Sequence, residues 1–331
     1  MTEFFRKKIP LYIVLLLVTA ITVAISYFFL KKAPQKENIV EKKPAEIELI
    51  RNTQYEFIKP LMMIETPEED PSFATLKNML ENYYSAEKGN GSIQSVSVYL
   101  RDLNYGKWMS INPNEEYSPG SMLKIITLIS MLKDSEKDKS VLERRVFFEK
   151  HFSELPSQTI VASPLQPGKD YSIRELLEKM IIDSDNDATA LLGTQTNFTT
   201  YFAFLQEIQF TLPELGQKDY PITASKYSRL FRVLFNSSYL NQQNSEYALN
   251  LLSQSKFKEG IAKYIPKNTK VAHKFGERFI GADLQWHESG IVYLKDRPFL
   301  LTVMSRGADQ NKLKEILSTT GQTVFDFMKN R

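Results

Sequence analysis

The chain has 331 residues, 42% of them hydrophobic, a formal charge of +3 and no cysteine. That composition supports a sizeable core and excludes global disorder, disulfides, thiolate catalysis and cysteine-based metal sites. With so small a net charge and no dense Lys/Arg stripe, a nucleic-acid partner is not indicated.

Ile9 to Leu30 carries no charged residue. As a helix it would span roughly 33 Å at about 1.5 Å per residue, which matches a bilayer core of about 30 Å. Arg6, Lys7 and Lys8 precede it, favouring a cytoplasmic N-terminus, although Lys31, Lys32 and Lys36 follow it. A cleaved signal peptide is the rival reading, but Tyr27-Phe-Phe-Leu-Lys-Lys offers no small-residue cleavage pattern. The expectation is a cytoplasmic tip and single-pass anchor over 1–30, which places the rest of the chain outside the cytoplasm at the cell membrane.

Residues 31–72 are rich in Lys, Glu and Pro and read as an extracytoplasmic linker, although Ile47 to Ile64 holds enough apolar side chains to dock. The globular domain is expected over 73–331. Leu76, Met79, Leu80 and Tyr83 recur at helical spacing, and Gly89-Asn-Gly91 ends that helix. Val96, Val98 and Leu100 alternate with Ser95, Ser97 and Tyr99 as in a strand. Asn104-Tyr-Gly106 reads as a turn into a hairpin partner over Lys107 to Ile111. From Gly120 to Lys133 the pattern is helical, and a mostly helical middle follows to about 260, through Ile173 to Ile182, Phe198 to Ile208, Ala224 to Phe235 and Ser245 to Ser253. Strands are expected again at Val271 to Phe275, Gly281 to Trp286, Ser289 to Leu294 and Phe299 to Ser305, before a closing helix from about Asp309 to Lys329. This order implies an α/β chain of the α+β type: an antiparallel sheet flanked by helices, with an inserted all-α lobe and a cleft between them.

Three short motifs occur in order: Ser121-Met-Leu-Lys124, Ser184-Asp185-Asn186 and Lys274-Phe275-Gly276. Ser-x-x-Lys on a helix puts both side chains on one face, where a lysine that has lost its charge can take the serine proton. The pair alone is weak, since it recurs at Ser85, Ser130, Ser253 and Ser255. Ser121 differs in having Gly120 before it, an apolar helix after it and partners downstream. Ser184-Asp185-Asn186 alone would equally serve as a helix N-cap. The histidines His151, His273 and His287 show no metal-ligand spacing, and no phosphate-binding glycine loop is present. Neither a metal nor a cofactor is expected.

The ordered trio resembles the Ser-x-x-Lys, Ser-Asp-Asn and Lys-Thr-Gly boxes of class A serine β-lactamases and the related penicillin-binding proteins. Ile222 to Phe231 and His287-Glu-Ser-Gly-Ile-Val-Tyr293 extend the similarity, which covers about 73–330. The resemblance implies a β-lactamase/transpeptidase-like fold with Ser121 as acylated nucleophile, Lys124 as proton acceptor and Ser184 as proton relay. It also implies substrate contacts at Asn186, Lys274 and Gly276, and an oxyanion hole from the N–H groups of Ser121 and Glu277. The implied substrates are β-lactams or the D-alanyl peptides of peptidoglycan. Two positions depart from the pattern. Phe275 replaces the usual hydroxyl, and Leu212 stands where class A enzymes carry the glutamate that activates the deacylating water, with Glu207, Glu214 and Asp219 nearby. A D,D-peptidase, or a domain that binds wall peptides or a protein without turnover, are the alternatives these departures raise.

Overall fold

The computed structural model describes residues 47–152, 164–212, 220–280 and 283–331. The span expected over 9–30 lies outside them, and among the described residues no helix is long and apolar enough to cross a membrane. Everything described belongs to one compact unit, Glu46–Arg331.

The chain opens with a hairpin, β1 (Glu48–Arg51) and β2 (Leu61–Glu65), then α1 (Ala74–Gly89). β3 (Ile93–Asp102) and β4 (Trp108–Ile111) follow, joined where the Asp102 carboxylate accepts from the N–H groups of Asn104 and Tyr105. After β5 (Glu116–Tyr117) the chain enters the inserted lobe. It contains α2 (Lys124–Lys137), β6 (Arg145–Phe148), β7 (Lys169–Ser172), α3 (Ile173–Ile182), α4 (Asn186–Gly193), α5 (Phe198–Glu207), β8 (Ile222–Thr223), α6 (Ala224–Phe235) and α7 (Gln242–Ser253). β9 (Val271–Ile280), β10 (Asp283–Val292), β11 (Phe299–Gly307) and α8 (Gln310–Lys329) complete it.

The main sheet is antiparallel, in the order β4-β3-β11-β10-β9, so the early hairpin and the late meander meet through β3 and β11. Its two faces feed two cores. Val96, Val98 and Leu100 face one core with Leu76 and Leu80 of α1 and Leu313, Ile316 and Val324 of α8. Tyr99, Leu300 and Met304 face the other, built from the lobe helices. This is the alternation that a strand buried on both sides requires. β9 is an edge strand, and the Gly120–Leu123 turn and Ser184 come to it from the lobe.

Three expectations need correction. The stretch expected as linker up to residue 72 is folded from β1 onward. Ile50, Met62 and Met63 are buried, Glu65 pairs with Arg232 at 2.6 Å, and Thr53 donates twice to Glu207. The lobe expected to be all-α also carries two strand pairs, β5–β8 and β6–β7. The two strands expected at 281–286 and 289–294 are one continuous strand, β10, because His287 and Glu288 are buried and bonded rather than turned out to water.

Candidate active site

Ser121 sits half-buried in a 3-10 turn, Gly120–Leu123, that runs straight into α2 at Lys124. Gly120 has φ +55°, and a Cβ there would lie 2.4 Å from the Glu277 carbonyl oxygen. A Cβ at Gly276 would lie 2.1 Å from the Pro119 oxygen and 2.8 Å from Met122 Cγ. Two glycines therefore let the turn lie flat on β9, putting the backbones of 119–122 and 276–277 in contact.

The turn is held from outside as well. The Ser118 N–H donates to Gln285 Oε1 at 3.0 Å, and His287 Nε2 lies 3.2 Å from the Ser118 oxygen. The Ser305 N–H donates to His287 Nδ1, so the ring's proton is on Nε2 and goes to Ser118. From the other side, Tyr227 of α6 donates its hydroxyl to the Met122 oxygen at 2.8 Å. Burial pushes the His287 imidazole down to about 3, so it stays neutral through any ordinary working pH. The sequence singled out none of Gln285, His287 and Tyr227 as supports of the turn. The available signal was two polar residues spaced by two in a strand beside the third box. His287→Phe keeps the ring that packs edge-on to Tyr117 but orphans the Ser118 oxygen and the Ser305 N–H. Acylation is expected to slow roughly tenfold, about the worth of the one of these two hydrogen bonds that holds the turn, at Ser118. Stopped-flow labelling with a fluorescent penicillin measures it.

Lys124 and Lys274 meet at one residue. Lys124 is 5% exposed and Lys274 fully buried. Lys124 Nζ donates to the Ser184 carbonyl oxygen, to Asn186 Oδ1 at 2.7 Å and to Ser184 Oγ at 3.3 Å. Lys274 Nζ lies 2.9 Å from the same Oγ and 3.3 Å from the Phe275 oxygen. Burial pushes the Lys124 ammonium down to about 7, against an upward pull from Asp185 and Glu277. Burial, with Lys124 close by, also pushes Lys274 well below the usual lysine value. Two ammoniums donating to one hydroxyl repel in a dry site, so the loss of a proton from one supports the other.

Ser184 holds a left-handed φ of +58°, uncommon for a residue with a side chain, with its carbonyl aimed at Lys124. Asp185 caps α4 by accepting from the Ala188 N–H at 2.8 Å. The capping reading of this motif holds for its middle residue. Asp185 takes the cap, and Ser184 and Asn186 are left to the lysines. Of the expected residues, Lys124, Ser184, Asn186 and Lys274 are joined by direct hydrogen bonds, while Ser121, Gly276 and Glu277 are joined by the packing of the turn on β9.

Lys274, expected to contact the substrate, is fully buried with its Nζ on Ser184 Oγ and the Phe275 oxygen. Phe275 turns away into the core, stacked 4.4 Å from Phe257 and 6.2 Å from Trp286 between ring centroids. His273 is fully buried with its Nδ1 2.5 Å from Glu288, which also accepts from the Ile261 N–H. Leu212 is 38% exposed. Glu207 is bound to Thr53 and belongs to the fold's scaffold; Glu214 and Asp219 lie outside the described residues. Among the described residues no cluster could hold a metal ion.

A serine, two buried lysines and a second hydroxyl in this sheet-and-lobe frame define an acyl-transfer class of protein. The model of the β-lactamase enzyme family matches residues 75–328, and the chain belongs to that family of acyl-enzyme serine hydrolases. Over 127 residues the chain is 27% identical to the D-alanyl-D-alanine carboxypeptidase DacF of Bacillus subtilis. That match spans 38% of this chain and 32% of DacF. The TLA-1 extended-spectrum β-lactamase superposes with a TM-score of 0.66 at 18% identity, covering 77% of this chain and 99% of its own. A leucine-to-glutamate variant of PBP-A, solved as its acyl-enzyme with penicillin G, superposes at 0.64 with 17% identity, covering 80% and 100%. At such identities the structural likeness establishes the fold.

Proposed function

We propose that the protein is a membrane-anchored, extracytoplasmic serine hydrolase acylated at Ser121 by D-alanyl peptides of peptidoglycan type and by β-lactams. The convergence of Lys124 and Lys274 on the Ser184 hydroxyl carries this reading. A lysine whose proton leaves near pH 7 is a base suited to neutral pH. It takes the Ser121 proton as Oγ attacks the substrate carbonyl, forming the new C–O bond. The oxyanion is met by the N–H groups of Ser121 and Glu277, on the two backbone segments that Gly120 and Gly276 bring together. Collapse breaks the C–N bond, and Ser184 hands a proton to the leaving nitrogen and recovers one from the lysine pair. Asn186, already tied to Lys124, presents its amide N–H to the substrate. Lys274 acts by polarising Ser184 and through its field.

Slow deacylation is part of the proposal: among the described residues of this stretch, Leu212 supplies no base and Glu207 is engaged by Thr53. The partial match to DacF and the leucine at 212 favour peptidase over β-lactamase. The anchor rests on the uncharged run 9–30. The test is to give the protein a diacylated Lys-D-Ala-D-Ala peptide and benzylpenicillin in parallel. D-alanine release with persistent penicilloyl-enzyme is the expected pair of results, and fast penicillin turnover without D-alanine release contradicts it. In Leu212→Glu, whose exposed position accepts a charge, penicilloyl-enzyme is expected to decay about a hundredfold faster, at the lower end of general-base catalysis. An unchanged lifetime places the deacylating water elsewhere.

A further inference from the structure

The β1–β2 hairpin lies outside residues 75–328, which match the family model. Its inner side is tied down by apolar burial and charge. Ile50, Met62 and Met63 are 1–3% exposed, and Glu65 meets Arg232 at 2.6 Å, Arg229 at 3.3 Å and Arg101 at 3.7 Å. The connecting segment is braced too: the Asn52 N–H donates to the Pro60 oxygen, and Arg51 reaches across to the Lys59 oxygen.

The outer side breaks the usual rule for a solvated antiparallel pair, which is apolar inside and polar outside. Leu49 and Ile64 stand directly opposite each other in register, both outward, at 49% and 40% exposure. Ile47 and Leu61 extend the strip, and the connecting segment adds Ile58 and Phe57, the latter 90% exposed. A contiguous apolar face held this firmly marks an interaction surface rather than scattered exposure. The charges around it are mixed, Glu48 and Glu56 against Arg51 and Lys59, so it offers no single-sign field to a charged partner.

We propose that the outer face and tip of the β1–β2 hairpin is a bilayer-docking surface, with Phe57 and Ile58 entering the headgroup–acyl boundary of the membrane that the run 9–30 enters. The inference rests on the anchor reading above. Residues 31–46, which separate that run from the hairpin, reach at most about 55 Å fully extended at roughly 3.4 Å each, so the hairpin is tethered within reach of the surface. An aromatic and aliphatic tip, Phe57 and Ile58, between Glu56 and Lys59 suits that interface, where side chains sink about 5–10 Å. Seated there, the hairpin holds one face of the domain against the bilayer.

The full chain is reconstituted into phosphatidylcholine–phosphatidylglycerol vesicles whose acyl chains are brominated near the glycerol end, and Phe57→Trp is compared with its parent. The parent's background comes from Trp286, which is fully buried, and Trp108. The emission added by the new tryptophan is expected to be largely lost in brominated vesicles and retained in unbrominated ones. Emission indifferent to bromine overturns the proposal. A blue shift that grows with protein concentration but not with lipid also overturns it, and assigns the face to a second copy. Flotation before and after an alkaline wash reports the anchor separately. Wash-resistant chain with unquenched tryptophan keeps the anchor and rejects the hairpin, whereas chain released by the wash but quenched before it does the reverse.

Discussion

Lys124→Ala is expected to slow acylation of Ser121 by about a hundred- to ten-thousand-fold at neutral pH, the range that a positioned general base supplies. The wild-type rate should rise with pH through about 7 and then level, because burial places the Lys124 proton loss there and only the neutral amine accepts a proton. The alanine variant should lose that inflection. A variant that keeps both the rate and the inflection removes Lys124 from the chemistry. Stability carries the same signature. Lys124 is held below its ordinary 10.5, so between about 7 and 10.5 the unfolded chain binds more protons than the native one. The unfolding free energy therefore rises with pH across that window, and the full cost of burying the ammonium is felt below it. In Lys124→Met that rise should flatten, by an amount a pair of thermal melts can read.

The second large effect belongs to a residue with no side chain. Gly276→Val should abolish acylation and destabilise the fold by about 3 kcal/mol or more, at the upper end of what overpacking costs. The atoms in the way of the new Cβ are the Pro119 carbonyl oxygen, 2.1 Å from where it would stand, and the Met122 backbone nitrogen at 3.1 Å. Neither can swing aside like a side-chain end. The alternative is for β9 to leave the Gly120–Leu123 turn, which separates the Glu277 N–H from Ser121. Gly120→Ala meets the same wall at the Glu277 oxygen and adds the cost of a positive φ. Labelling and chemical denaturation separate the two losses. Normal acylation in Gly276→Val would mean that the turn and β9 need not touch.

The parts of this site that could be read from the sequence are those where local pattern and chemistry coincide. Ser121 and Lys124 share a helix start, Ser184 and Asn186 flank a capping aspartate, and Lys274 to Glu277 lie on a strand that ends the helical middle. The two sheet halves were also legible, because Val96, Val98 and Leu100 alternate cleanly. What escaped depends on partners far along the chain. His287 and Glu288 interrupt an apolar run and read as a break. They remain in β10 because Ser118, Ser305, His273 and the Ile261 N–H satisfy them in the interior. Tyr227 carries no local mark of its role, since only the fold brings its hydroxyl to the Met122 oxygen, 105 residues back along the chain. The β1–β2 hairpin was hidden by its charged and proline-rich surroundings, and its footing on Arg101, Arg229 and Arg232 has no local sequence signature. Phe275 was legible as a departure but not in its consequence. The ring leaves the cleft for Phe257 and Trp286 and stays 4.4 Å from Lys274 Nζ, so the third box keeps its lysine in a drier place than a hydroxyl would.

Acylation of Ser121 is tested most directly by the intact mass of the full chain after incubation with benzylpenicillin, beside Ser121→Ala. Ser121 is half-buried and its replacement removes only one oxygen, so the variant should fold as the parent does. A single penicilloyl adduct is expected to persist on the parent and to be absent from the variant. An adduct retained in Ser121→Ala would contradict the assignment and move the nucleophile to another residue.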